Sequence, residues 1–255
     1  MRKEKWREST REERSELITL GIDTCEARGS VAVRRDGALA SLQKHESGED
    51  YSSWLLPAVD RGLRAAGATL REVGLLAVAA GPGSFTGVRV GLTTVKAWAE
   101  LFGIEAVGVS RLEVMARQVA ESTGFVAASF DAQRGQVFGG LYRNEGKGSW
   151  RLIEQEMVIA PDEFVKWVAR NSYGEMIRWS TLDPELFAGG PSWRERAAKG
   201  ETLLHCGDGL AAGVAALGEE RATQGKFTDS VLLDANYVRR SDAEIFWKDP
   251  ASHGK

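Results

Sequence analysis

Histidine, cysteine and long apolar runs are all scarce in this chain, and each shortage removes a class of function. The three histidines, His45, His205 and His253, are scattered. No HxxxH or HExxH spacing puts two imidazoles on one helix face, so a histidine-based metal centre is not expected. Cys25 and Cys206 make no CxxC pair, and His205 beside Cys206 points a different way in a strand, against joint ligation. Met1 to Glu16 lacks the apolar stretch of a signal peptide, so reduced cysteines and a cytoplasmic location are expected. The longest apolar run, Val73 to Ala80, is strand-sized, far short of the ~20 residues of a membrane span. Excess charge is lacking too. With 33 basic and 36 acidic side chains the net charge is −3, not the basic surplus of a protein that grips nucleic acid by its phosphates.

What is present is the composition of a packed protein. Hydrophobic residues make up 43% and charged residues 27% of 255, enough for one large domain or two lobes. Residues 1–16 mix basic and acidic side chains and are expected to form a disordered, solvated extension. LITLGIDT, from Leu17, is an apolar run ending in Asp23, and Gly29 to Arg35 alternates as a second strand. Asp36-Gly37 is a two-residue hairpin signal leading into a third strand, Ala38 to His45. A helix from about Tyr51 to Ala66, a strand to Ala80, a helix from Ser84 to Phe102 and a strand, Ile104 to Val109, complete a mixed α/β lobe.

The order of elements then recurs. Arg111 to Ser122 reads as a linking helix. GFVAASFDA ends in Asp131 much as the first strand ends in Asp23, and GQVFGGLYR alternates after it. Asp162 to Arg170 reads as helix, and Asn171 to Lys199, with Pro184 and Pro191, as irregular chain. TLLHCGDG, a strand and a Gly-x-Gly before an alanine-rich helix, echoes LLAVAAGPG. Two related lobes are expected, the second reduced.

Asp23 and Asp131 sit where strand-end acids often hold a metal or a water, with turn-forming aspartate as the plain alternative. Gly81-Pro82-Gly83-Ser84-Phe85-Thr86-Gly87 opens a helix and could cradle an anion on its free N–H groups. The lysine of a Walker A loop is missing, however, and the segment is no GxSxG elbow. Spacing therefore favours a structural turn, with Asp23, Gly83, Ser84 and Thr86 as weak nucleotide candidates. No Ser/His/Asp or Cys/His set can be named.

The helix after this turn has two apolar stripes. Val88, Leu92, Val95, Ala99 and Phe102 form one; Gly87, Gly91, Thr94, Trp98 and Leu101 form the other. The helix near Tyr51 is similar, with Trp54, Leu55, Val59 and Leu63. A helix greasy on two sides must bury both, so a helix-pair interface with a neighbouring chain is expected.

GIDTCEARGSVAV, LLPAVD, AAGPGSFTGVRVGLTTVKAWAE, VGVSRLEVMA, FDAQRGQVFGGLYR and the late YVRRSDAE occur in order, and together they resemble the TsaB (YeaZ) family. The resemblance is dense over Leu17 to Arg143, sparse through the tryptophan-rich stretch, and returns at His205 to Gly209 and Asn236 to Glu244. It implies an α/β protein of the actin-like/sugar-kinase (ASKHA) fold, built of two RNase H-like lobes. The first would span 17–109, completed by about 230–247, and the second, degenerate lobe 110–229. It implies a non-catalytic partner of a TsaD-type catalytic subunit, acting with a TsaE-type ATPase in threonylcarbamoyl transfer to the adenosine beside the tRNA anticodon. No cofactor is expected, with ATP or ADP only at the interface with the catalytic partner, and tRNA is met only through the complex. The dimerising surface carries over to Trp54, Leu55, Val59, Leu63, Val88, Leu92, Val95, Ala99 and Phe102, with a homodimer expected when the partner is absent. One departure is Tyr51-Ser52, where the family commonly has His-Ser. The competing expectations are an ATP-binding phosphotransferase using Asp23, Asp131 and the Gly-rich turns, and an M22-type peptidase.

Overall fold

The computed structural model describes residues 16–238 apart from Ser47. The expected extension, except Glu16, and the tail from residue 239 lie outside the described residues.

In the first sheet β1 (Ile18–Asp23) is central, with β2 (Ser30–Arg35) antiparallel to it and β3 (Ala38–Lys44) antiparallel to β2. Asp36 and Gly37 both adopt positive φ, 49° and 80°, the left-handed pair that a tight Asp-Gly hairpin demands. On the other side β4 (Leu75–Ala79) and β5 (Glu105–Val109) run parallel to β1, giving the order β3-β2-β1-β4-β5. All six residues of β1 and all five of β4 are buried, as central strands covered on both faces must be.

The second sheet repeats this plan. β6 (Gly124–Asp131) is central, β7 (Val137–Gly146) and β8 (Ser149–Ile159) form the antiparallel meander, and β9 (Ile177–Thr181) and β10 (Leu203–His205) add in parallel. Its order, β8-β7-β6-β9-β10, is that of the first sheet. Two RNase H-like sheets in one chain make the actin-like/sugar-kinase fold, an α/β architecture. What is reduced in the second is its last strand, three residues against five in β5.

Two of these strands are not in the sequence reading. β8 buries only Ile153 and Glu156 of its eleven residues, so its alternation is weak. β9 lies inside the stretch expected to be irregular; the two prolines there open helices, Pro184 just before Glu185–Ala188 and Pro191 at the first position of Pro191–Ala198.

The helices make three layers around the sheets. α1 (Tyr51–Ala65) and α2 (Phe85–Phe102) cover the outer face of the first sheet. α3 (Arg111–Gln118) and α7 (Ala211–Thr223) fill the space between the sheets, α3 against the second and α7 against the first. α4 (Pro161–Asn171), α5 (Glu185–Ala188) and α6 (Pro191–Ala198) cover the outer face of the second. Sequence order places α7 in the expected second lobe, yet its packing is on the first sheet, where Ser30 Oγ accepts the Ala211 N–H at 3.0 Å. After α7 the chain returns to the first sheet: the Asn236 N–H meets the Ala80 carbonyl at 2.7 Å.

Candidate functional site: the interlobe cleft and the outer groove

β1 and β6 both end in an aspartate, and the structure treats the two differently. Asp23 is fully buried. Its Oδ2 accepts the Nε–H of Arg111 at 3.0 Å and its Oδ1 the Cys25 N–H at 3.0 Å. Arg111, the first residue of α3, is itself fully buried; it also donates to Glu26 Oε1 at 2.8 Å and lies 4.4 Å over the Phe130 ring. Burial works against the guanidinium charge, but Asp23 and Glu26 outweigh it and push the Arg111 pKa above its ordinary value. Burial likewise raises Glu26, while Arg111 and Arg28 together hold its carboxyl below the usual range. Asp131 keeps its carboxylate for its own turn, accepting the Gln133 backbone and side-chain N–H groups at 2.7 Å each. The two strand-end acids thus share no open site. Between them stand Arg111, Glu26, Arg28 and Asp183, the last of which accepts the Asp131 N–H at 2.7 Å.

The Gly-rich turn is packed, not poised. The Ser84 N–H donates to the Cys25 carbonyl at 2.6 Å, and Ser84 Oγ caps α2 by accepting the Gly87 N–H at 3.4 Å. Thr24 Oγ1 donates to the Gly87 carbonyl at 2.7 Å. A Cβ on Gly83 would strike the Cys25 carbonyl, and one on Gly87 the Thr24 carbonyl, so these glycines let the helix start lie on the 23–25 loop. Gly87 admits the Thr24 backbone and Gly91 the Thr24 side chain, both from this chain itself. Ser84 and Thr86 are exposed. Burial, with Asp23 nearby, pushes the Cys25 thiol well up, which removes it as a nucleophile.

The expected interface residues need correcting. Trp54, Leu55, Val59 and Leu63 are 5% exposed or less, and Val88, Leu92, Val95 and Ala99 7% or less; Phe102 is half-buried. They are core. Two apolar stripes cannot be ranked from pattern alone, and the stripe chosen is the one that lies on the sheet. The other sides of α1 and α2 border a groove of about 490 Å3 lined by Tyr51, Leu56, Phe85, Val90 and Thr93, and of the expected interface residues Leu55 alone also lines it. Leu56 is 56% exposed and Phe85 41%. Arg89 stacks 3.6 Å over Phe85 and donates to the Tyr237 hydroxyl at 2.8 Å, so aromatic and guanidinium surface stands at one end of the groove.

A model of the family described as TsaD, tRNA N6-adenosine threonylcarbamoyltransferase, matches residues 45–181, more than half of the chain. The tRNA threonylcarbamoyladenosine biosynthesis protein TsaB of Escherichia coli (strain K12) is 33% identical over 145 residues, 56% of this chain and 62% of that protein. Its counterpart in Bacillus subtilis (strain 168) is also 33% identical, over 149 residues, 58% of this chain and 62% of that protein. This chain belongs to that family, on its TsaB (YeaZ) side. The match spans about three fifths of the length of these curated relatives. The fold extends further: YeaZ from Pseudomonas aeruginosa superposes with a TM-score of 0.69 at 24% identity, covering 87% of this chain and 99% of that one.

The structure also places the family departure. The Tyr51 hydroxyl donates to the Glu26 carbonyl and its ring stacks on His45 at 4.3 Å, so a residue lining the groove also props the 26–28 loop. Arg111 and Arg28 lie inside VGVSRLEVMA and GIDTCEARGSVAV, yet no local pattern in those segments, or around Asp183, pairs them across the cleft. A larger cavity of about 960 Å3 lies between α3, α7 and the β7–β8 hairpin. On its wall Glu156 accepts from Ser110, Tyr142 and Asn236, and burial raises its carboxyl pKa.

Proposed function

We propose that this chain is a non-catalytic partner subunit that binds and activates a TsaD-type catalytic subunit, with a TsaE-type ATPase, for threonylcarbamoyl transfer to the adenosine next to the tRNA anticodon. The observation that carries the reading is the state of Asp23. A phosphotransferase would need that strand-end carboxylate free to meet a metal or a water, and here it is buried and bonded to Arg111. The turn that would cradle phosphates has spent its Ser84 and Gly87 N–H groups on the chain itself.

The groove between α1 and α2 is the contact surface in this reading. It offers the aromatic and arginine side chains that dominate binding energy at interfaces, with aliphatic surface beside them. A partner of the same fold would bring an equivalent helix pair, so the two could meet in a pseudo-symmetric way, and a second copy could take its place when the partner is absent. ATP or ADP enters only at that joint interface, and tRNA is met through the complex. In this reading the first lobe takes in the chain returning near Asn236, the remainder of the expected completing segment lying outside the described residues, and the second spans 110–229, with α7 lying across the boundary.

The test is reconstitution with the same organism's catalytic subunit and ATPase, scoring transfer to tRNA with and without this chain. Transfer that depends on the chain, with no turnover by the chain alone, supports the reading. Transfer that proceeds equally without it overturns the reading.

A further inference from the structure

Ligands of open α/β sheets bind in the crevice beyond the carboxyl ends of the strands. In this chain β1 and β6 bring such ends together, and the crevice between them is crossed by side chains. Arg111 joins Asp23 to Glu26 at 3.0 and 2.8 Å. Arg28 continues the line, donating to both Glu26 oxygens at 2.8 and 2.9 Å. The same guanidinium reaches the other lobe, meeting the Leu182 carbonyl at 3.0 Å and Asp183 Oδ1 at 2.9 Å. Asp183 Oδ2 then accepts the N–H of Asp131, the last residue of β6, at 2.7 Å. The exposure of these side chains is graded: 0% for Asp23 and Arg111, 16% for Glu26 and 34% for Arg28.

We infer that Arg28 is the pin of an interlobe clamp that holds the rim of this cleft shut, so that the two strand-end loops part only when Arg28 is withdrawn. Behind the cleft the lobes already share a layer. Ser180 Oγ donates to the Met115 carbonyl at 2.9 Å, and Arg117 pairs with Glu220 at 2.8 Å, so opening about that layer is the motion left to them. The inner rung, Asp23 with Arg111, belongs to the core and cannot part without stranding a buried charge. Arg28 stands at the water-facing end and makes four bonds to two lobes through one planar fork. It can leave at little cost to either core, which is what a releasable pin requires. The clamp does not depend on the partner reading, since its contacts are all within this chain.

Amide hydrogen exchange on the full-length chain tests it. Arg28→Ala should raise exchange across residues 129–136 and 24–30 by about fivefold, the population shift expected from losing a part-buried ion pair. Exchange within β1 and β6 upstream of those ends should stay unchanged. Asp183→Asn keeps an oxygen for the Asp131 N–H but removes the charge facing Arg28, and should free residues 24–30 in the same way. Arg151→Ala, which breaks an exposed pair with Glu145 on the β7–β8 hairpin, should leave the cleft protected. Cleft exchange within twofold of the unmodified chain in both cleft variants would overturn the clamp. Global unfolding of both would overturn it equally, because a rim pin is dispensable to the two cores.

Discussion

The two lobes share one strand order and use it differently. The first lobe buries its strand-end acid, Asp23, under Arg111, while the second leaves Asp131 to close a turn at the cleft edge. On their outer faces the contrast is sharper. The second sheet is covered by α4 and α6 through an aromatic core of Phe125, Phe164, Trp179, Phe187 and Trp193, all 8% exposed or less. Trp179 meets Phe164 and Trp193 edge-on, at 6.2 and 5.4 Å, and its indole N–H donates to buried Glu201. The first sheet is covered by α1 and α2, whose sheet-facing sides are equally buried but whose other sides leave Leu56, Phe85 and Val90 along a groove. A duplicated architecture thus covers one outer face with an aromatic core and leaves apolar side chains along a groove on the other.

The largest expected effect separates the two sides of α2 and α1. Val95 is 0% exposed, so Val95→Glu buries an unpaired carboxylate and should cost on the order of 5 kcal/mol, unfolding the chain in a thermal or denaturant melt. Leu56→Glu on the groove side should change stability by no more than about 0.5 kcal/mol while weakening association, read by analytical ultracentrifugation. A folded Val95→Glu chain that fails to associate would reverse the assignment of faces.

Next in size is the acid that only the first lobe buries. Arg111→Ala strands Asp23 and should cost about 3–5 kcal/mol in urea unfolding, and Arg111→Met with Asp23→Asn should recover part of it. The same loss from an Asp131→Ala substitution would erase the difference between the lobes, since the exposed Asp131 turn is expected to cost about 1 kcal/mol or less.

The smallest effect is a pH dependence. Arg111 and Arg28 hold the folded Glu26 carboxyl below its ordinary value of 4.5. A depressed acid contributes stability that is fully present above that unfolded value and is lost as pH falls through the lower folded value. Melting temperature should therefore drop on acidification below pH 4.5, and Glu26→Gln should flatten that drop. An unchanged acid limb in the variant would show that the Glu26 contacts contribute nothing to folding.

Most of the first sheet was legible in the sequence because its signals are local: an apolar run into Asp23, an Asp-Gly hairpin, a serine cap before a long amphipathic helix. The second sheet was legible only as an echo, since β8 faces water along much of its length and β9 is five residues between turns. The site was less legible still. Nothing in Ser110-Arg111-Leu112 announces that the arginine is buried, because its partner acids lie 85 and 88 residues away. Glu26 and Arg28 fall between the two expected strands and drew no role for the same reason. The two stripes of α2 look alike in pattern, and only the sheet decides which is core; Gly87 and Gly91 then turn out to face the 23–25 loop.

If the outer groove of the first lobe is where the chain acts, a charge placed there must weaken its action. The direct measurement is to titrate the catalytic subunit and ATPase with the unmodified chain and with folded Leu56→Glu, following threonylcarbamoyl transfer to tRNA. The unmodified chain should support transfer, and Leu56→Glu should need at least about tenfold more protein, the loss of one interface contact. Equal titration curves for the two would contradict it.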